Sequence, residues 1–296
     1  MANLKEVRTR ITSVSSTQQI TSAMKMVSAA KFRRAQNAII GMRPYVAQLN
    51  EIVRDLDTGG EVLTPYHSVR PVRNVLLVVI TSNKGLCGAF NSNVIKQSLA
   101  RIEHFRNSIP ADGSLRVLSI GKKSSELLAR QKDLLLTVRD EILDAPSFDA
   151  IAEMAETIMT EFATKQLDYV EVVYNQFKNS LTQVLSTEQF LPVAHKDAKE
   201  TKRDAGSAMA NDYIFEPSKE EIVRSMVPLT LRSTLYRMVL DSLAAEHGAR
   251  MTAMQKATDN ATELLKDLRL SYNKARQAAI TNEIIEIVSG SEALKG

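Results

Sequence analysis

Residues 218–289 contain one proline, Pro228, and one glycine, Gly248, and otherwise only residues that form or tolerate a helix. At 1.5 Å per residue this stretch predicts a helix of roughly 100 Å, several times the span of the domain the remaining chain can build. Its apolar spacing tells what it packs against. Met251, Met254, Thr258, Ala261, Leu265, Leu268, Tyr272, Ala275 and Ala279 step by alternating threes and fours. That is a heptad seam interrupted once by a threonine, and a seam requires a partner helix.

The partner lies at the other end of the chain. In residues 4–56 one register runs through Leu4, Val7, Ile11, Val14, Gln18, Thr21, Lys25, Ser28, Phe32, Ala35, Ile39, Met42, Val46, Leu49, Val53 and Leu56, again in threes and fours. Its middle third is polar, at Gln18, Thr21, Lys25 and Ser28, and there a second stripe appears at Ile20, Met24 and Val27. A helix that switches its apolar face part-way is expected to change neighbours at that place. Gly41 and Pro44 are expected to weaken the helix and kink it. Periodicity leaves the orientation of the two helices open.

Between them the pattern changes. Residues 75–80, Val-Leu-Leu-Val-Val-Ile, form a short continuous apolar run, as in a strand buried on both faces. A glycine-containing turn follows at residues 82–88, then a helix over about 91–106. A second strand over 115–120, a helix over 122–131, a third strand over 134–138 and a helix opened by Pro146 and Ser147 come next. Two further β-rich runs, 169–176 and 182–190, are joined by a turn at 178–180. Such alternation predicts an α/β sheet unit. Residues 195–211 are polar and charge-dense, and read as an exposed loop. Ser218 with Glu220 and Glu221 reads as a helix start, a cap followed by acids in the first turn. The expected organisation is a helix in residues 1–57, a sheet domain in 72–192, a polar linker in 193–217 and a second helix in 218–290.

Several chemistries are disfavoured. With 44% apolar residues a substantial core can form, and the scarcity of aromatics favours long helices over an all-β fold. A single cysteine, Cys87, rules out an internal disulfide or a cysteine-built zinc site, and suits a reducing compartment. The longest aliphatic run is far too short to span a bilayer, and no secretory signal is evident. The strand–turn–helix at residues 75–91 is where a nucleotide loop would sit, but neither G-x-G-x-x-G nor a Walker motif is present. Gly121-Lys122-Lys123-Ser124 ends like a P-loop, yet Arg116 occupies the place of its upstream glycine. Glycines here suit a tight turn and close helix-to-sheet packing. His67, His104, His195 and His247 are scattered and form no local catalytic signature with Cys87.

Charge is more telling. From residue 5 to residue 43 the basic residues are Lys5, Arg8, Arg10, Lys25, Lys31, Arg33, Arg34 and Arg43, and the only acid is Glu6. By itself this cluster fits nucleic acid and an acidic protein surface equally. On the C-terminal helix Glu246, Arg250, Lys274, Arg276, Gln277, Thr281 and Glu283 bring ionic and amide groups to a helix whose core positions are Ala, Met and Leu. A solvated face is the ordinary role of such charges. After Ala279 the seam loses register, because Asn282 and Glu286 fall on the next core positions. Ile280, Ile284, Ile287 and Val288 make a different apolar stripe, which calls for a sleeve-like partner around an otherwise unpaired tip.

Long segments in order resemble one family. They are E-H-G-A-R-M-T-A-M-Q-K-A-T-D-N-A at 246–261, S-Y-N-K-A-R-Q-A-A-I-T-N-E-I-I-E-I-V-S-G at 271–290, T-Q-Q-I-T-S-A-M-K-M-V-S-A-A-K at 17–31, T-S-N-K-G-L-C-G-A-F-N at 81–91 and Y-I-F-E-P at 213–217. Over essentially the whole chain the sequence is similar to the γ subunits of F-type ATP synthases. The resemblance implies an α/β fold: a long antiparallel coiled coil of N- and C-terminal helices with an inserted Rossmann-like α/β domain. It implies a rotor shaft inside a hexamer of α and β subunits, with the ε subunit and the membrane c-ring at its base. Proton flow would turn the shaft, and ATP would be made on the β subunits, so no catalytic residue, cofactor or metal is expected in this chain, nor nucleic acid as a partner.

The resemblance also assigns contacts. Arg276, Gln277 and Thr281 match residues that meet catch loops of the hexamer, Met24 and Lys25 the collar region, and Glu246 and Arg250 a polar pair in rotor–stator contacts. No transit peptide precedes the match, which implies a bacterial form, peripheral on the cytoplasmic face of the inner membrane with no span of its own. Two positions depart from the pattern. Asn83 stands where an acidic residue is usual, and Gly248 where many members have a larger one.

Overall fold

The computed structural model describes residues 4–56, 64–131, 134–179, 182–193, 216 and 218–293. The polar stretch 195–211 and, apart from Glu216, the motif at 213–217 lie outside the described residues. Two long helices bound the chain, α1 (Leu4–Leu56) and α5 (Lys219–Ala293). The first runs unbroken through Gly41 and Pro44, the second through Pro228 and Gly248. Ser218 caps α5: its hydroxyl accepts the Glu221 N–H at 3.3 Å, and Glu220 and Glu221 fill the first turn.

The chain divides into two compact units, Met1–Ala29 with Arg250–Gly296, and Ala30–Ala249. The first is an antiparallel helix pair. Gln18 Nε2 donates to Thr262 Oγ1 at 2.7 Å and Thr258 Oγ1 to Thr21 Oγ1 at 2.9 Å, so partner numbers fall along α5 as they rise along α1. Val7, Thr21 and Ser28 of α1 and Met254, Ala261 and Leu265 of α5 are buried. The seam therefore continues through the polar third of α1, and the expected switch of face does not occur. Buried hydroxyls are tolerated there because each is bonded: Thr21 donates to the Gln18 carbonyl at 3.0 Å and Ser28 to that of Met24 at 2.7 Å. Ile20 and Val27 of the second stripe stay about 60% exposed instead.

The second unit is built on a five-stranded sheet of order β3-β2-β1-β4-β5. Its strands are β1 (Asn74–Ile80), β2 (Ser114–Ile120), β3 (Leu135–Val138), β4 (Tyr169–Phe177) and β5 (Gln183–Leu191). Strands β1 to β4 run parallel and β5 returns antiparallel to β4. The helices α2 (Phe90–Ser108), α3 (Lys122–Leu128) and α4 (Phe148–Ala163) connect them. β1 is central and buried on both faces, which its unbroken aliphatic run requires. Val75, Leu77 and Val79 join α2 in a smaller core. Leu76, Val78 and Ile80 join the larger one with Ile39 and Val53 of α1, Ile151 and Phe162 of α4, and Val227, Leu235 and Met238 of α5. One face of the sheet is thus packed on α2, the other on α4 and the parts of α1 and α5 that belong to this unit. Among the described residues no helix is long and apolar enough to cross a membrane.

Candidate functional site

In open α/β sheets a ligand binds beyond the carboxyl ends of the strands, where exposed helix N–H groups attract anions. Here the part of that edge ahead of α3 is filled from within the chain. Ahead of α3 the Gly121 N–H donates to Asp140 Oδ1 at 3.0 Å and the Lys122 N–H to Asn83 Oδ1 at 3.1 Å. The Lys123 N–H goes to the Ser82 carbonyl at 3.1 Å, and the Ser124 N–H to Thr81 Oγ1 at 3.0 Å. Each of these four donors ahead of α3 already has an acceptor within the chain, and Asp140 puts a carboxylate, which also takes the Ser125 hydroxyl at 2.8 Å, beside them. Gly121, at φ +119°, lets this turn close: a Cβ there would come within 2.7–2.8 Å of Thr81. Cys87 is buried and accepts from Asn91 Nδ2 at 3.2 Å. Among the described residues no group of three or more His, Cys, Asp and Glu is placed to hold a metal ion.

The surface of the helix pair is the more distinctive feature. From residue 280 to residue 292 every residue of α5 is exposed, Ile280, Ile284, Ile287 and Val288 included. The register explains where this begins. Facing residues have numbers that total about 280, so Leu4 lies opposite the turn at Arg276, and the described part of α1 offers nothing farther along. Arg276, Gln277 and Thr281 are exposed beside this bare end, the Thr281 hydroxyl donating to the Gln277 carbonyl at 2.9 Å. Met24 and Lys25 are half-buried on α1, opposite the turn around Gln255, some 20 residues away or about 30 Å along a helix. The predicted contact residues therefore form two separate zones, not one site.

Glu246 and Arg250 belong to neither zone. They are 6% and 7% exposed, so this part of α5 does not carry a solvated polar face. The residues 238–246 are all buried, and a charge among them has to be held in the interior by partners. Asp241 shows how. Its fully buried carboxylate receives Arg43 at 2.6 Å and Arg237 at 3.2 Å. Burial outweighs both guanidiniums and holds the carboxyl above its ordinary range. Burial likewise pushes the Tyr174 phenol well up, and its hydroxyl donates to Glu188 Oε1 at 2.5 Å. Sequence reasoning placed Arg43 in an exposed basic cluster and overlooked Asp241. The signal was an acid inside the run Met238-Val239-Leu240-Asp241-Ser242-Leu243, where a charge needs a buried partner.

A Rossmann-like sheet sits in the chain between two long helices, and the far end of the second helix is bare. Comparison with known proteins narrows the class. The family described as ATP synthase matches residues 3–294. An ATP synthase gamma chain of Flavobacterium johnsoniae is 53% identical over 298 residues, covering 100% of both chains. One of Bacteroides thetaiotaomicron is 43% identical over 98% of this chain and 99% of its own. Among solved structures, a chain of the Tetrahymena thermophila mitochondrial ATP synthase central stalk and c-ring is 27% identical with a TM-score of 0.58, covering 80% of this chain and 99% of that one. A chain of the Euglena gracilis mitochondrial ATP synthase, at 21% identity, a TM-score of 0.63 and coverage of 98% and 94%, shares the fold. This chain belongs to the ATP synthase family, among its gamma chains.

Proposed function

We propose that the chain is the central-stalk rotor of an F-type ATP synthase, turning with a c-ring at its base and driving conformational change in a surrounding α/β hexamer. The observation that carries this reading is the end of α5. A helix whose 13 residues from 280 to 292 are exposed, with isoleucines on one side, presents the kind of apolar surface that marks a site enclosed by another body. A similar chain stands in a central-stalk and c-ring assembly, which supports the rotor reading. Contact with the hexamer is made at the tip by Arg276, Gln277 and Thr281 and at a lower collar by Met24, Lys25 and the exposed Ile20 and Val27. Glu246 and Arg250 act from beneath the surface, shaping the helix face presented there. In this reading the chain itself is non-catalytic, which Asp140 and Asn83 support by taking the N–H groups ahead of α3. Residues 1–57 and 218–290 form the shaft and 72–192 the base domain, linked by 193–217, with ε as a further partner there and the complex on the cytoplasmic face of a bacterial inner membrane.

The test is purification from native membranes through a tag on this chain, with the partners identified by mass spectrometry. Catalytic and non-catalytic hexamer subunits, ε and c subunits are expected together. Recovery of the chain without hexamer subunits overturns the reading.

A further inference from the structure

In the second unit one ion network joins four elements. Asp241 of α5 is gripped by Arg43 of α1 at 2.6 Å and by Arg237 of α5 at 3.2 Å. Arg43 also donates to the Phe177 carbonyl at the end of β4 and lies 5.9 Å from the Phe177 ring centroid. Arg237 reaches β5 through Glu188 at 3.0 Å and β4 through the Tyr174 hydroxyl at 3.3 Å. Tyr174 closes the circuit on Glu188.

We propose that this network is a torsional brace, locking the inserted sheet to both long helices so that the sheet and the shaft turn as one body. The inference rests on the rotor reading. Most of what else joins sheet to helices here is apolar: Val223, Val227, Leu231, Leu235 and Met238 of α5 share one core with β4 and α4 residues, and Phe32 of α1 meets the Phe177 ring edge-on at 5.5 Å, while Arg232 of α5 pairs with Glu156 of α4, not with a strand, at 2.8 Å. Apolar contact is non-directional and opposes separation far more than sliding. Forked, charge-assisted hydrogen bonds have fixed directions, and a small rotation of the sheet about the helices breaks them. The network sits where such sliding would occur, between α1, α5 and the edge pair β4–β5. A stability role explains it poorly, because a buried ion cluster is commonly replaced by apolar groups of similar volume without loss of stability. A mechanical role accounts for two helices and two strands meeting on two carboxylates and two guanidiniums.

That contrast supplies the experiment. In the purified synthase, anchored through its hexamer, a gold bead is attached to the sheet through Leu127→Cys on the exposed side of α3, and its angular spread is recorded during catalytic dwells. The quadruple variant Arg43→Met, Asp241→Leu, Arg237→Met, Glu188→Leu is expected to assemble and melt near the parent temperature while the angular variance widens about twofold. The single variant Arg237→Lys, which keeps the charge but loses the fork, is expected to fall between the two and serves where the quadruple variant fails to assemble. Parental variance in the variants that assemble overturns the brace. A parent bead that does not rotate at all overturns the rotor reading instead, so the two failures are separate.

Discussion

Gly121 and Gly41 carry opposite meanings although both are single glycines. Gly121 sits at φ +119° with Thr81 against the place of its missing Cβ, so Gly121→Ala is expected to destabilise the chain by about 2–3 kcal/mol. Gly41 lies inside α1 with nothing within 4 Å, and Gly41→Ala should stabilise by about 0.5–1 kcal/mol. Denaturant unfolding of the full chain reads both, and equal effects would refute the geometry. Asn83 shows what an acid-to-amide departure does. Its amide donates to the Asp140 carbonyl at 3.1 Å and to Asp144 Oδ1 at 3.0 Å, while its oxygen takes the Lys122 N–H. Asn83→Asp removes both donors and sets a carboxylate beside Asp144. A loss of about 1 kcal/mol is expected at neutral pH, shrinking as pH falls through the carboxylate range because protonation restores a donor and relieves the repulsion. A loss that grows on acidification would contradict this.

At the scale of elements, adjacent leucines test the seam. Leu265 is buried in the helix pair and Leu264 is exposed, so Leu265→Ala should cost about 2–3 kcal/mol and Leu264→Ala under about 0.5. Thermal unfolding of the full chain checks the ratio, and similar values would mean a wrong register. The same elements show how far sequence reasoning reached. The threes and fours in α1 and α5, the apolar run of β1 and the alternation of strands with helices were legible, because each is a local pattern that burial imposes directly. The seam's passage through Thr21 and Ser28 was not, because a hydroxyl satisfied by its own helix is indistinguishable in sequence from one that faces water. Nor was the burial of Glu246 and Arg250, since a charge announces its environment only once its neighbours in space are known. The contacts proposed at 24–25 and 276–281 came from family resemblance alone, and only the bare stripe beyond Ala279 was visible as periodicity.

For the whole molecule, the question is what an exposed apolar end is for. The residues 280–292 contribute nothing to the described core, so selection for folding alone would replace Ile284 and Ile287, the latter 71% exposed, with polar residues. Their presence fits the proposed bearing surface, whose other half would be a different chain. Placing two carboxylates there separates folding from assembly. In the double variant Ile284→Asp, Ile287→Asp the isolated chain is expected to melt within about 1 °C of the parent, because no buried contact is touched. Burying those charges against an apolar sleeve would cost several kcal/mol, enough to lower assembly with hexamer subunits, or the ATP-driven proton pumping of the assembled enzyme, by about tenfold or more. Native mass spectrometry of the reconstituted complex and a proton-pumping assay in membrane vesicles measure the two effects. Parental assembly and pumping would mean that the tip turns in water without a bearing, and that the asymmetry acting on the catalytic subunits must come from the collar around Met24 and Lys25.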